Sequence, residues 1–135
     1  MLHPPTPSGI AHIALTVSDL DRSVEWYSRL FGAEPLVRTT MLKGTEHEYR
    51  MAVWPELGLG LHHFDDRRPE AFSERRPGLD HLAFTCADID ELRAWQRHLD
   101  ELGIERSGVL DEPYGSGLAF RDPDDIALEF FVDAS

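Results

Sequence analysis

Three histidines and one glutamate have the residue types and spacing that best suit a metal site: His12, His62, His81 and Glu129. Three imidazole nitrogens and one carboxylate suit a borderline divalent transition metal such as Zn, Ni, Fe(II), Mn or Co. Four protein ligands around a six-coordinate ion leave two positions for water or substrate, which catalysis at a metal requires. Glu129 is also the candidate catalytic base, provided that it leaves the ion to carry a proton. For each histidine taken singly, an ordinary hydrogen-bonded strand residue is the alternative interpretation.

These four residues belong to an internal repeat of the sequence. Segment 12–17 (HIALTV) is similar to segment 81–86 (HLAFTC), which begins 69 residues further along the chain. Near the end of each half the offset changes to 67, so that segment 59–64 (LGLHHF) aligns with segment 126–131 (IALEFF). In this alignment His62, rather than His63, corresponds to Glu129. The candidate ligands therefore occupy matching places in two halves.

Each half is predicted to contain one strand, one helix and three further strands. In the first half we expect strands near 10–17, 34–42, 47–54 and 59–64, and a helix from the N-cap Asp19 to Gly32. In the second half we expect strands near 79–86, 104–110, 117–121 and 126–132, and a helix from Ile89 to Gly103. The predicted organisation is a single α+β domain with module one at 9–64, a linker at 65–77 and module two at 78–133.

Side chains alternate between the two faces of a strand, which separates the candidate ligands from the helix-facing residues. In the first strand Ile13 and Leu15 are predicted to face the helix, and His12 to lie on the opposite face. The same alternation applies to the other three ligands. Pseudo-twofold pairing of the modules therefore predicts one concave surface that carries all four. The pocket residues predicted on or beside this surface are Thr16, Phe64, Thr85, Tyr114 and Phe131.

The composition narrows the class of partner. The chain has 135 residues, with 25 Asp and Glu against 13 Lys and Arg and a formal net charge of −12. This acidic balance argues against nucleic acid and against an anionic membrane surface. The predicted partner is a small-molecule substrate or ligand. The apolar runs are shorter than the roughly 18 residues that a membrane span needs. With one cysteine in the chain, the prediction is a cytoplasmic protein.

Three segments resemble the vicinal oxygen chelate superfamily, which includes glyoxalase I, bleomycin-binding proteins and extradiol dioxygenases. They are residues 12–32, 78–84 and 120–129. The resemblance implies two βαβββ modules that form a glyoxalase-like half-barrel cup with a metal inside. It maps the family's four ligand positions onto the four residues named above, and it implies a homodimer. Two positions depart from the family pattern: Asp125 replaces a glycine, and Thr16 replaces the arginine typical of glutathione-dependent members.

Three functions are consistent with these residues. The leading prediction is a metal-dependent, glyoxalase-like isomerase or lyase whose small oxygenated substrate chelates the ion through adjacent oxygens. The second is an Fe(II) ring-cleaving dioxygenase, in which His12, His81 and Glu129 form the metal triad and His62 lies beside it. The third is a resistance protein that binds a drug or natural product without catalysis, with Phe64 and Phe131 among the walls of its cup.

Overall fold

The computed structural model describes residues 3–66 and 70–134. Within the predicted linker 65–77, Arg67 and Arg68 therefore lie outside the described residues. The first repeat contains, in chain order, β1 Ile13–Thr16, α1 Leu20–Phe31, β2 Val37–Met41, β3 Tyr49–Trp54 and β4 Leu59–His63. A short 3-10 helix, Pro55–Leu57, connects β3 to β4. The second repeat contains β5 Leu82–Thr85, α2 Ile89–Glu101, β6 Leu110–Glu112, β7 Gly115–Arg121 and β8 Ala127–Asp133.

The two repeats form four-stranded sheets with the same topology. The strand orders are β1-β4-β3-β2 and β5-β8-β7-β6. In each sheet the first strand of the module pairs in parallel with the last, and the remaining pairs are antiparallel. The prediction of an α+β fold built from two similar modules is confirmed. The chain divides into two compact units, and the Glu25–Gly32 part of α1 belongs to the unit that contains the second sheet. That the chain is one domain stays a prediction.

Both helices begin and end where their capping residues indicate. The Asp19 carboxylate accepts a hydrogen bond from the Arg22 backbone N–H at 3.0 Å. The Asp88 carboxylate accepts one from the Glu91 backbone N–H at 2.9 Å. These bonds satisfy donors that the first turn of a helix leaves without a partner. At the other ends, Gly32 and Gly103 adopt the left-handed conformation, with φ of 67° and 72°.

The buried apolar residues lie on the helix-facing side of each sheet. In the first sheet Leu15, Ala52 and Leu61 are buried and occupy one row of the strand pairing. In the second sheet Trp95 of α2 stacks on Phe130 of β8, with ring centroids 4.1 Å apart. Burial of these apolar side chains is what holds helix to sheet. The opposite face of each sheet, here called its open face, carries the candidate ligands.

The strand register corrects the alignment of the two repeats. Thr16 pairs with His62, and Thr85 pairs with Phe131 at the equivalent place. The offset of 69 residues therefore persists through the last strand of each module, where the sequence predicted 67. Structurally, Gly60 is the counterpart of Glu129, and His62 is the counterpart of Phe131. Because residues two apart on a strand share a face, His62 and Glu129 still lie on the open faces.

Two boundaries in the second module differ from the sequence prediction. The strand predicted at 104–110 is reduced to a single bridge between Arg106 and Phe120, and β6 begins only at Leu110. β7 begins at Gly115, two residues before the strand predicted near 117–121. Glycine has a low intrinsic propensity for strands, so the presence of a glycine in β7 is explained only by the side chains that pack against it.

Among the described residues, both helices fall short of the length and apolar character that crossing a membrane demands.

Candidate functional site

The first pair of candidate ligands, His12 and His62, lies on the open face of the first sheet. His12 directly precedes β1, beside Gly58, whose carbonyl accepts a hydrogen bond from Ile13 at 2.8 Å. His62 is half-buried on β4. Partial burial, and secondly the nearby His12, lower the pKa of the His62 imidazole. His62 is therefore neutral at pH 7, which is the state in which an imidazole binds a metal.

The position of the His62 ring depends on an aromatic neighbour and on the space that Gly60 leaves open. Tyr49 on β3 stacks on the imidazole with ring centroids 4.6 Å apart and an angle of 27° between planes. A Cβ placed on Gly60 would lie 3.9 Å from the Nε2 atom of His62. The imidazole thus extends back along the open face, over the position that corresponds to Glu129 in the other module.

The second pair, His81 and Glu129, lines one cavity of about 550 Å³ in the second unit. His81 directly precedes β5, and Glu129 lies on the neighbouring strand β8, where it pairs with Ala83. The Nδ1 atom of His81 is 2.8 Å from the Asp80 carboxylate. A carboxylate in this place holds the Nδ1–H tautomer, so Nε2 is the nitrogen that can bind a metal.

Glu129 has small neighbours on both adjacent strands. It is flanked by Ala83 on β5 and Ala119 on β7. Its carboxylate also lies over Gly117, because a Cβ placed there would be 3.2 Å from both Cδ and Oε2 of Glu129. A larger residue at Gly117 would displace this carboxylate. The sequence places this glycine at the start of the strand predicted near 117–121, and it does not show the contact with Glu129.

The predicted pocket residues lie on the open faces or at their ends. Thr16 and Thr85 are the direct strand partners of His62 and Phe131. The ring of Phe64 contacts that of Tyr49 in a tilted arrangement with centroids 5.3 Å apart. Tyr114 stacks on Phe131 with ring centroids 5.9 Å apart. Tyr114 is 68% exposed. Both units therefore carry an aromatic pair close to their candidate ligands.

Two features near the second pair were not predicted from the sequence. One is Arg121, which lines the cavity of His81 and Glu129 together with Glu74. The other is a buried bond: the Tyr27 hydroxyl donates to the Asp122 carboxylate at 2.8 Å. The second oxygen of that carboxylate accepts the backbone N–H groups of Asp124 and Ile126. Side-chain alternation along β7 could have placed Arg121 on the same face as Glu129. Nothing local in the sequence connects Tyr27 to Asp122.

The bond from Tyr27 fixes the turn that leads into β8. Asp122 is 6% exposed, and burial raises the pKa of its carboxyl group. Three donors to one buried carboxylate hold the backbone of the turn in a single conformation. Within that turn Asp125 adopts a left-handed conformation with φ of 65°, as expected for a residue that replaces a glycine.

The structure brings the four predicted ligands together as two pairs, one on each open face. Within residues 3–66 and 70–134, no group of three or more His, Cys, Asp or Glu side chains is close enough to hold a metal ion. The donor chemistry of both pairs nevertheless fits a divalent transition metal. The first supplies two imidazoles, and the second supplies an oriented imidazole and a cradled carboxylate. The assignment of all four to one ion stays a prediction.

Comparisons with known proteins agree with this fold. A crystal structure of a glyoxylase/bleomycin resistance protein/dioxygenase domain from Frankia sp. EAN1pec is 35% identical, with a TM-score of 0.80. The match covers 96% of this chain and 100% of that one. The metallothiol transferase FosB of Shouchella clausii is 31% identical over 90% of this chain and 78% of its own length.

A ring-cleaving enzyme is also similar to this chain. Biphenyl-2,3-diol 1,2-dioxygenase 3 of Rhodococcus globerulus is 28% identical over 92% of this chain, which spans 63% of the length of that enzyme. The family model described as Glyoxalase/Bleomycin resistance protein/Dioxygenase superfamily matches residues 9–130, nearly the whole sequence. With the two-module fold and the paired ligand positions, this match shows that the chain belongs to the Glyoxalase/Bleomycin resistance protein/Dioxygenase superfamily, the vicinal oxygen chelate superfamily.

Proposed function

We propose that this protein is a metal-dependent, glyoxalase-like enzyme of the isomerase or lyase type. Its substrate is a small oxygenated compound that chelates a divalent metal ion through adjacent oxygen atoms. The observation that carries the proposal is the cavity of about 550 Å³ lined by both His81 and Glu129. A cavity of this volume is in the range that holds small-molecule ligands. His12 and His62 supply the corresponding pair on the first sheet.

Two of the proposed ligands, His62 and His81, have features that favour metal binding. The lowered pKa of His62 keeps its imidazole neutral near pH 7. The contact with Asp80 orients the His81 ring. A bound divalent ion stabilises negative charge that develops on the substrate oxygens. Zn, Ni, Fe(II), Mn and Co all suit three imidazoles and one carboxylate.

Glu129 is the proposed proton-transfer group. Its carboxylate has room to move because Ala83 and Ala119 are its neighbours across the sheet. The carboxylate needs this space on both sides because it must both contact the ion and reach a proton of the substrate. The same small residues leave space for a substrate above the sheet. FosB, a metallothiol transferase by name, is 31% identical to this chain and supports a metal-based chemistry.

Metal analysis of the purified protein tests the proposal. We expect stoichiometric divalent metal in the native protein and at least about 100-fold weaker binding after His62→Ala or Glu129→Ala, because each change removes a ligand. His47→Ala is the matched control, since this exposed histidine lies outside both pairs. Full metal occupancy in both ligand variants would contradict the assignment. The isomerase-type chemistry is then tested by NMR in deuterated water, which detects exchange of the substrate proton on the carbon beside the chelating oxygens.

Ring cleavage by Fe(II) is the second candidate function. The similarity to a biphenyl-diol dioxygenase favours it. So does Gly60, because this residue occupies the position equivalent to Glu129 in the first module and has no side chain that could bind a metal. His12, His81 and Glu129 then form a two-histidine, one-carboxylate triad. Oxygen uptake with catechols by the iron-loaded protein would support this function. Iron binding that survives His62→Ala would support it further, because His62 is not part of the triad.

We also propose that the protein is a homodimer, as members of the superfamily often are. The test is the mass in solution, measured by light scattering after size exclusion. Twice the chain mass of 15.3 kDa is expected. Co-expression of a His12→Ala chain with a Glu129→Ala chain adds a functional measurement. Metal content above that of either variant alone indicates that the site combines residues of two chains.

A further inference from the structure

Arg121 lies in the same cavity as the proposed ligands His81 and Glu129. Its guanidinium is bound by Glu74 from the segment between the modules. Nη2 donates to Oε1 of Glu74 at 2.9 Å, and Nη1 donates to Oε2 at 3.3 Å. This is the two-bond geometry in which an arginine recognises a carboxylate. The cavity therefore already contains a carboxylate-binding position, and it is occupied by a side chain of the protein itself.

The strand register sets the position of Arg121 relative to Glu129. Arg121 pairs with Ala127, and Ala119 pairs with Glu129, so all four residues share the open face. Diagonal neighbours across two antiparallel strands have Cα atoms roughly 7–8 Å apart. The other two corners of this square are alanines. A compound of a few carbon atoms can therefore extend from Glu129 to Arg121 without meeting a large side chain.

We propose that Arg121 anchors a carboxylate group of the substrate, and that Glu74 occupies this position in the ligand-free protein. The proposal rests on the proposed function, because the other end of the substrate chelates the metal. It defines the substrate class as small acids with two adjacent oxygen atoms at one end and a carboxylate at the other.

The exchange of one carboxylate for another is electrostatically balanced. When Glu74 leaves and a substrate carboxylate enters, the charge beside Arg121 is unchanged. The guanidinium keeps its orientation, because Nη1 also donates to the Asp125 carbonyl at 2.8 Å. Glu74 lies outside the strands and helices, and its side chain is 38% exposed. It can therefore turn towards water more easily than a residue of the sheet.

A tethered carboxylate competes strongly with a free one, because its effective concentration at the arginine is high. Binding to Arg121 lowers the pKa of Glu74 to about 2, so Glu74 is a full competitor at neutral pH. A ligand with a carboxylate alone should therefore bind weakly. A ligand that also chelates the metal gains a second attachment and can displace Glu74. In this way the pair selects for compounds that carry both groups.

The first experiment uses metal-free protein and glutarate, which carries carboxylates but no adjacent hydroxyl. Binding is followed by isothermal titration calorimetry. We expect weak binding to the native protein, about tenfold tighter binding after Glu74→Gln, and loss of binding after Arg121→Gln. Glu70→Gln is the matched control, because Glu70 belongs to the same segment and pairs with Arg76. Equal affinity of the native protein and Glu74→Gln would overturn the proposal.

The second experiment uses metal-loaded protein and two acids with the same chelating end. 2-Hydroxyglutarate has a distal carboxylate, and 2-hydroxypentanoate has a methyl group in its place. We expect the native protein to prefer 2-hydroxyglutarate, and Arg121→Gln to bind both equally. An unchanged preference in Arg121→Gln would overturn the proposal. If the native protein binds no metal, the proposed function fails, and the glutarate titration still decides the role of Arg121.

Discussion

The Nε2 atom of His62 lies 3.9 Å from the point where a Cβ on Gly60 would stand. Gly60 is the structural counterpart of Glu129, and His62 is displaced from that counterpart by two residues. The His62 ring therefore extends over a position that carries no donor of its own. A side chain at position 60 and the side chain of His62, two residues further along β4, can therefore reach the same space above the sheet.

This relationship predicts that a carboxylate at Gly60 can replace His62. His62→Ala should lower metal affinity, and addition of Gly60→Glu in that background should restore most of it. The neighbouring atoms allow the change, since the Cβ contacts at Gly60 are ordinary van der Waals distances of 3.7 to 3.9 Å. Metal content and titration affinity are the measurements. Gly60→Gln in the same background is the control, and equal recovery by glutamine and glutamate would contradict a ligand role.

Gly117→Ala should weaken metal binding without unfolding the protein. Its new Cβ would lie 3.2 Å from the Glu129 carboxylate, which is the movable end of a flexible side chain. The carboxylate therefore shifts, while the backbone does not. Gly108→Ala is the matched control, since a Cβ there meets nothing within 4 Å. Urea denaturation should give similar free energies of unfolding for both variants, and only Gly117→Ala should lower metal affinity. Unchanged affinity in Gly117→Ala would show that Glu129 is not a ligand.

Tyr27→Phe should lower the free energy of unfolding by about 1–3 kcal/mol, because it removes a donor from the buried Asp122 carboxylate. The bond that is lost measures 2.8 Å. Tyr114→Phe is the control, as Tyr114 is 68% exposed. Chemical denaturation at pH 7 provides the comparison. Equal stability of the two variants would mean that water or another donor replaces the Tyr27 hydroxyl.

The ion pair of Glu74 and Arg121 predicts a specific pH dependence of stability. Hydrogen bonding to Arg121 lowers the pKa of Glu74 from 4.5 to about 2. Because the pKa is lower in the folded state, the stabilisation is complete above pH 4.5 and is lost as the pH falls towards 2. The stability difference between the native protein and Glu74→Gln should therefore shrink over this range. A difference that stays constant from pH 5 to the acid limit would contradict the ion pair.

Strand and helix periodicity predicted both helices and all the strands except the one near 104–110, because such patterns depend on residues close together in the sequence. Capping residues such as Asp19 and Gly32 gave the helix boundaries for the same reason. The pairing of β1 with β4 comes from the structure. Its register was not inferable from the repeat, since the shift from 69 to 67 matched residue types rather than backbone positions.

Contacts between distant residues were outside the reach of the sequence. Glu74 and Arg121 are separated by 47 residues, and Tyr27 and Asp122 by 95. No periodic pattern links such pairs. The role of Gly117 was missed for a different reason. Gly117 is the first residue of the strand predicted near 117–121, and only the carboxylate above it shows why a small residue is needed there.

The parallel pairing of the first and last strand has a consequence for how the protein folds. In each module Ile13 or Leu82 finds its partner only after nearly the whole module has been made. Contacts so distant along the chain form late, because closing the intervening loop costs entropy first. His12 and His81 directly precede these late strands. The antiparallel meander of each module should therefore acquire protection from hydrogen exchange before either histidine reaches its place.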